Sequence, residues 1–348
     1  MVTCETPFMT TCSLPSKQTG LSRTLYRDDA VSLEPLLNKR VAIIGYGNQG
    51  RPQSLNLRDT GLEMVVGLRP ASANKALAQA DGLTVCGIEE AVAQSDVVML
   101  LLPDAAIASV YDTYVRPNLR PGQYLGFCHG LALLAGWIDP PESVNVFLMA
   151  PKAQGKGVRA HFLSQSGVPG LVAVHRDATG DTLDVALAYG RALGCHWAGI
   201  LQTTVEEEAV TNLFAEQAVL CGGLSHLAKA AFEVLTEAGY SPEIAYFECL
   251  HEIRLLANLL HEGGITGMRR AISPTACYGD VSQGSRVIDA HVKASMQAVL
   301  ERIRSGSFMT ALKAEAGAGY PETKSRVEAD SQHPIEQTGA VLRSVGLI

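Results

Sequence analysis

The segment Val41-Ala-Ile-Ile-Gly45-Tyr-Gly47-Asn-Gln-Gly50 runs an apolar stretch of strand length straight into G-x-G-x-x-G, and helical spacing follows to about Thr60. Glycines at these points allow a tight turn, a close backbone approach to a pyrophosphate and close packing of helix on strand. The helix N-terminus then offers free N–H groups and the positive end of its dipole to phosphates. A glycine-rich turn without a ligand is the competing reading; the strand, helix and second strand in sequence speak against it. The candidate dinucleotide contacts are Gly45, Tyr46, Gly47, Asn48, Gln49 and Gly50.

Around this unit, short runs rich in Val, Ile and Leu alternate with helix-length segments, the pattern of βαβ units with a buried, mostly parallel sheet. Strands are expected at Val41–Ile44, Met64–Leu68, Val97–Leu102, Tyr124–Cys128, Val144–Met149 and Gly170–Val174, with another near His196–Ile200. After about Leu201 helical spacing takes over, in Glu206–Leu235, Pro242–Leu260 and Ser285–Arg304. The fold class is therefore an α/β Rossmann domain with a doubly wound sheet, followed by an all-α C-terminal domain. The expected boundaries are an N-terminal extension over residues 1–30, including a polar arm over Met1–Lys17, a nucleotide-binding domain over 31–201 and a helical domain over 202–348. The polar tail Gly317–Pro334 reads as loosely ordered, and the acid run Glu206-Glu207-Glu208 as a solvated helix start, where negative charge suits the dipole.

A net charge of −7 without any run of Lys or Arg argues against nucleic acid or an anionic membrane as partner, and in favour of small molecules. Eight scattered cysteines without C-x-x-C spacing signal neither a zinc site nor a disulfide framework; they read as reduced thiols, hence a cytoplasmic protein. No secretory leader pattern and no stretch of about 18 apolar residues is expected to engage a membrane. At the end of the second strand, where NAD-specific proteins place an acid for the ribose hydroxyls, stands Arg69, followed by Ser72 and Asn74. A cation with hydroxyl and amide neighbours suits a 2′-phosphate, so NADPH is expected over NADH. Arg69 as a solvated loop charge is the alternative.

Beyond the loop, Leu55-Asn-Leu-Arg-Asp59, Val66-Gly-Leu-Arg-Pro70, Met99-Leu-Leu-Leu-Pro-Asp104, Phe127-Cys-His-Gly130, Ala150-Pro-Lys152, Glu216-Gln-Ala-Val-Leu-Cys-Gly-Gly223, Glu243-Ile-Ala-Tyr-Phe-Glu-Cys-Leu-His-Glu252 and His333-Pro-Ile-Glu336 follow in one order. Together they closely resemble ketol-acid reductoisomerases of the short, class I type, over nearly the whole chain. The resemblance implies an oxidoreductase that uses NADPH and two Mg²⁺ to migrate an alkyl group within a 2-hydroxy-3-keto acid and then reduce the ketone, in branched-chain amino-acid synthesis. It also implies a knotted-type helical dimerisation domain, a homodimer or multiple of dimers, and active sites completed by the partner. Leu102, Pro103 and His129 would join the cofactor contacts.

Two pairs at i, i+4 on expected helices, Asn212 with Glu216 and Glu248 with Glu252, put both members on one face. The resemblance makes these the metal positions, Glu216, Glu248 and Glu252 as ligands, with Asn212 where the family has a bridging Asp. An amide offers one carbonyl oxygen but neither the charge nor the second anionic oxygen of a bridge, so one Mg²⁺ at most, weakly held or absent, is expected. Two ordinary exposed helix acids are the alternative for Glu248 and Glu252. Arg51 and Gln53 replace two family histidines, and Pro274 and Cys277 replace an Asp and a Glu of a later substrate loop. Ser273 and Tyr278 remain there, and the expected substrate contacts are Glu252, Ser273 and Cys277. His251-Glu252 lacks the second histidine of a zinc-protease motif.

Alkyl migration leans on a two-metal site to polarise the ketone, whereas hydride transfer needs mainly orientation and a proton. The catalytic candidates are His129, Lys152 and Glu252, with His129 and Lys152 able to supply the proton; a merely structural strand-end histidine is the alternative for His129. The leading expectation is an NADPH-dependent reductase of a small C=O or C=N substrate without the migration step, in specialised metabolism. The alternatives are a genuine magnesium-dependent ketol-acid reductoisomerase and a catalytically silent cofactor-binding subunit.

Overall fold

The computed structural model describes residues 21–348; the arm expected over Met1–Lys17, and with it Cys4 and Cys12, lies outside the described residues. The described residues divide into two compact units, 21–209 and Val210–Ile348.

Among the described residues the first unit is built on nine strands: β1 (Leu25–Tyr26), β2 (Val41–Ile44), β3 (Met64–Gly67), β4 (Val85–Cys86), β5 (Val97–Leu100), β6 (Tyr124–Phe127), β7 (Asn145–Pro151), β8 (Gly170–Arg176) and β9 (Ile200–Gln202). They form one sheet in the order β1-β9-β8-β7-β6-β5-β2-β3-β4. The pairs from β4 across to β7 are parallel, as is β8 with β9. The sheet is buried on both faces, which is why its strands read as unbroken apolar runs. Along β2, Ile43 packs with Met99 and Phe147 on one face, while Ala42 and Ile44 pack with Val98, Leu100 and Leu125 on the other. β2 lies between β3 and β5, so the winding reverses there, and the crevice at the carboxyl ends of β2 and β5 is where such sheets take ligands.

Several sequence expectations are corrected. The strand Gly170–Val174 exists as β8 but pairs antiparallel with β7, and the short β1 likewise runs antiparallel to β9. The strand expected near His196–Ile200 is instead a helical turn, Cys195–Ala198, bracketed by Gly194 (φ 85°) and Gly199 (φ 120°); extended structure begins only at Ile200. Ser285–Arg304 is two helices, Pro274–Val287 and Ala290–Arg304, because the Asp289 side chain accepts from Val292 N and caps a new start. The tail around Gly317–Pro334 contains the helix Pro321–Ser331, opened by a proline at its first turn and tied by Lys229 Nζ to Asp330 Oδ1 at 2.7 Å.

The second unit is helical throughout, including Gly222–Glu237, Ile253–Ala271 and Pro334–Ser344, around a core of Phe232, Ala245, Tyr246, Ile335 and Leu342. Two π-helical turns, Glu216–Leu220 and Phe247–His251, interrupt its helices. The helical stretch Val205–Glu237 has a mean hydropathy of 1.3 over an eighteen-residue window, apolar enough to cross a membrane by length and composition alone. Val219, Leu220, Leu224, Leu227 and Val234 of that stretch are exposed in the single chain.

Candidate functional site

The loop after β2 is shaped by close packing. At Gly45 (φ 104°) a Cβ would lie 2.5 Å from the Leu101 carbonyl oxygen, and at Gly50 it would lie 2.2 Å from that of Gly45. A Cβ on Gly47 would meet nothing within 4 Å. Two glycines are thus demanded by the protein itself, while the third leaves its outer face open to a ligand, and the helix Gly50–Asp59 starts directly behind it. This cradle fits a dinucleotide pyrophosphate. Tyr46 turns inward against Val66, Leu68, Ala78 and Leu83, and its hydroxyl donates to Asp81 Oδ2 at 2.7 Å. Burial, then Asp81, pushes that phenol well above its ordinary value. Arg51 closes the same group with a bidentate pair to Asp81 at 2.7 and 3.0 Å.

A cavity of about 300 Å³ opens beside the loop, with Gly47, Asn48 and Gln49 on one wall and Leu102, Pro103 and His129 on another. Arg69, Ser72 and Asn74 follow β3, next to β2; Ser72 N donates to Arg69 O at 3.0 Å and Asn74 N to Ser72 Oγ at 3.4 Å, so all three share one turn at the carboxyl edge of the sheet.

His129 follows β6 and Lys152 follows β7, adjacent parallel strands, and both reach one carboxylate. Lys152 Nζ donates to Glu208 Oε1 at 2.7 Å, His129 Nδ1 lies 3.0 Å from Glu208 Oε2, and Gly130 N donates to the same oxygen at 3.1 Å. Glu208 is 1% exposed. Its helix, Val205–Ala215, turns Val205, Glu208 and Ala209 to one side at i, i+3 and i+4, and a Cβ on Gly130 would come within 2.8 Å of Val205 O, so only glycine lets the helix lie this close. The reading of Glu206-Glu207-Glu208 as a solvated start is thereby corrected. Glu206 is exposed, Glu207 pairs with Arg23 at 2.8 Å, and Glu208 is the centre of a buried charge cluster. An acid triplet looks the same in sequence whichever member faces inward; the periodic Val205 and Ala209 beside it were the one available signal. Another carboxyl, Asp104, lines the cavity with His129, and burial carries it above the ordinary range, with His129 opposing and Glu208 adding to the rise.

Burial would raise the Glu208 carboxyl, but the hydrogen bonds and positive charge of His129 and Lys152 outweigh it and hold the group below its ordinary 4.5. A depressed carboxylate stabilises the fold fully above the unfolded value and loses that contribution as pH falls through the folded one. Thermal melts should therefore show Tm declining below pH 4.5, with a shallower decline in Glu208→Gln; parallel curves for the two proteins would refute the linkage.

In the second unit, Asn212 Nδ2 donates to Glu216 Oε1 at 3.3 Å. Glu216 opens one π turn; Glu248 lies in the other and Glu252 immediately follows it, and such turns recur at functional sites. Glu216, Glu248 and Glu252 are exposed, and among the described residues no three His, Cys, Asp or Glu side chains converge as a metal would require. One chain's residues do not fit a metal ion by themselves. Ser273 is the N-cap of Pro274–Val287, its Oγ accepting from Ala276 N at 3.1 Å, and Cys277 follows one turn later.

Comparison with known proteins follows this division. Residues 35–199 match the family model described as acetohydroxy acid isomeroreductase, NADPH-binding domain, and residues 205–346 that described as ketol-acid reductoisomerase, C-terminal domain. The chain is similar to the solved structure of an NADH-preferring ketol-acid reductoisomerase from an uncultured archaeon, with 40% identity, TM-score 0.88, and coverage of 92% of this chain and 98% of that one. A semialdehyde dehydrogenase NAD-binding protein from Cupriavidus necator, 17% identical over 75% of this chain and 99% of its own, with TM-score 0.55, shares the fold alone.

Proposed function

This chain belongs to the ketol-acid reductoisomerase family, and from that premise we propose that it reduces a C=O or C=N bond of a small substrate with NADPH, without the alkyl migration. Its class, a nicotinamide-dependent oxidoreductase, comes with the family. The narrower reading is carried by one observation: at the position of a bridging acid stands Asn212, which spends an amide N–H on Glu216 instead of offering a second anionic oxygen.

In this reading the backbone of Gly45–Gly50 and the N-terminus behind it hold the pyrophosphate, while Arg69, Ser72 and Asn74 take the 2′-phosphate, favouring NADPH over NADH. The bound cofactor supplies the hydride. Glu208 anchors the Lys152 ammonium and, at the cavity wall, the His129 ring, and either side chain can deliver the proton that the new alkoxide or amine takes up. Glu252, Ser273 and Cys277 contact substrate, and Glu216, Glu248 and Glu252 hold at most one Mg²⁺. The exposed apolar side chains of Val205–Glu237 support a homodimer, since a second copy would cover them. The six described cysteines are unpaired, which supports a cytoplasmic setting.

A second reading, a working magnesium-dependent reductoisomerase, is favoured by 40% identity along nearly the whole chain to a structure of that name. NADPH oxidation with 2-acetolactate and with 3-hydroxy-3-methyl-2-oxobutanoate, each with Mg²⁺ and with EDTA, separates them. Reduction of the second compound alone supports the reductase, and Mg²⁺-dependent turnover of acetolactate establishes the reductoisomerase. NADPH binding without hydride transfer to any keto acid or imine marks a silent subunit. For the reductase, Asn212→Asp should raise Mg²⁺-dependent turnover of acetolactate by at least about tenfold, the scale of a restored ligand set; an unchanged rate would place the loss elsewhere.

A further inference from the structure

A buried amide outside the proposed catalytic cluster ties the glycine loop to both of its polar arms. Gln53 and Tyr189 are completely buried, 136 residues apart in sequence. The Tyr189 hydroxyl donates to Gln53 Oε1 at 2.7 Å; Gln53 Nε2 donates to Gln49 Oε1 at 3.1 Å and lies 3.0 Å from Cys128 Sγ; Gln49 Nε2 donates to Ala153 O at 3.1 Å. The direction of this chain is set by chemistry. The Ala153 carbonyl only accepts, so Gln49 must present its Nε2 there and its Oε1 to Gln53. Gln53 must then present Nε2 to Gln49, which leaves its Oε1 for the tyrosine. No member can flip without breaking a bond in a site where a lost partner costs about 1–3 kcal/mol.

Two of the groups it touches lie one residue from the cluster: Cys128, beside Gln53, precedes His129, and Ala153, bonded by Gln49, follows Lys152. We propose that Gln53 is a positioning residue that transmits occupancy of the glycine loop, through Gln49 and Cys128, to His129 and Lys152. The inference rests on the reading that this loop binds NADPH. When the loop orders on a pyrophosphate, Gln49 is held, its bond to Ala153 stiffens the segment bearing Lys152, and Gln53 does the same for the segment bearing His129.

The test is amide hydrogen exchange of the full-length protein with and without NADPH, in wild type, in Tyr189→Phe and in the double variant Gln53→Met/Tyr189→Phe. The double variant replaces both buried partners with apolar groups of similar shape, so no polar atom of the pair is orphaned. In wild type, NADPH should slow exchange at residues 45–50, 128–131 and 151–156 together. In the double variant the slowing at 45–50 should stay within about twofold, while that at 128–131 and 151–156 falls at least about threefold; Tyr189→Phe alone should keep all three. Full slowing at the two distant segments in the double variant overturns the inference, as does an equal loss in Tyr189→Phe, which would reduce the effect to core packing. Slowing confined to 45–50 in wild type overturns the inference but leaves the cofactor reading standing; no slowing anywhere in wild type overturns both.

Discussion

Glu208→Gln should lower kcat by about a hundredfold or more while leaving NADPH affinity within about threefold, an effect in the range typical of losing a proton-transfer group. The substitution keeps the shape and one acceptor for Gly130 N, so what it removes is the negative charge that Lys152 and His129 share. Without it, the Lys152 and His129 side chains face each other over a neutral amide, the ammonium loses its charge-assisted anchor, and the imidazole is no longer held at the cavity wall. The measurement is kcat and KM across pH on whichever keto acid is reduced, beside NADPH affinity from fluorescence titration. Because Glu208 does not line the cavity beside the glycine loop, cofactor affinity is the internal control. A variant with kcat within about threefold of wild type would remove Glu208 from the mechanism.

Gly155→Ala should raise the NADPH dissociation constant at least about tenfold and lower Tm, because overpacking of this kind costs about 1–3 kcal/mol. Gly155 opens the helix Gly155–Leu163, and a Cβ there would lie 1.7 Å from Asn48 O and 2.7 Å from Asn48 Oδ1. The Oδ1 can swing aside with its side chain, but the nearer atom is backbone of the glycine loop itself and cannot. Relief therefore requires the loop or the segment Lys152–Gly155 to retreat, and the Gln49-to-Ala153 hydrogen bond between them would be pulled apart. Gly47→Ala supplies the contrast. Its Cβ meets no protein atom within 4 Å, so Tm should hold while NADPH affinity falls, the methyl group projecting where the pyrophosphate belongs. Calorimetry and fluorescence titration on both variants decide the matter: an unperturbed Tm in Gly155→Ala would mean that the two segments part freely.

The glycine loop after β2 was legible because its constraints are local. A backbone on which an added Cβ would lie 2.5 Å from a neighbouring carbonyl oxygen, or which turns at φ 104°, admits little but glycine, and strands buried on both faces must be apolar along their whole length, so both features are written in residue types. His129 and Lys152 were legible as candidates, each at the end of an expected strand.

What joins those two was not legible. Glu208 lies 79 residues from His129 and 56 from Lys152, and only its spacing from Val205 and Ala209 sets it apart locally from Glu206, which faces solvent on the same turn. The buried path Tyr189–Gln53–Gln49 is of the same kind, since a glutamine or tyrosine carries no mark of whether its partner is water or another side chain. The antiparallel placement of β8 and the helical turn at Cys195–Ala198 likewise follow from which strand edge was free and from two left-handed glycines. The sequence by itself determined the fold class, the loop and the identity of the charged groups; only the tertiary structure decided which of those charges are taken out of water together, because burial and pairing are set by segments that meet only after the sheet has formed.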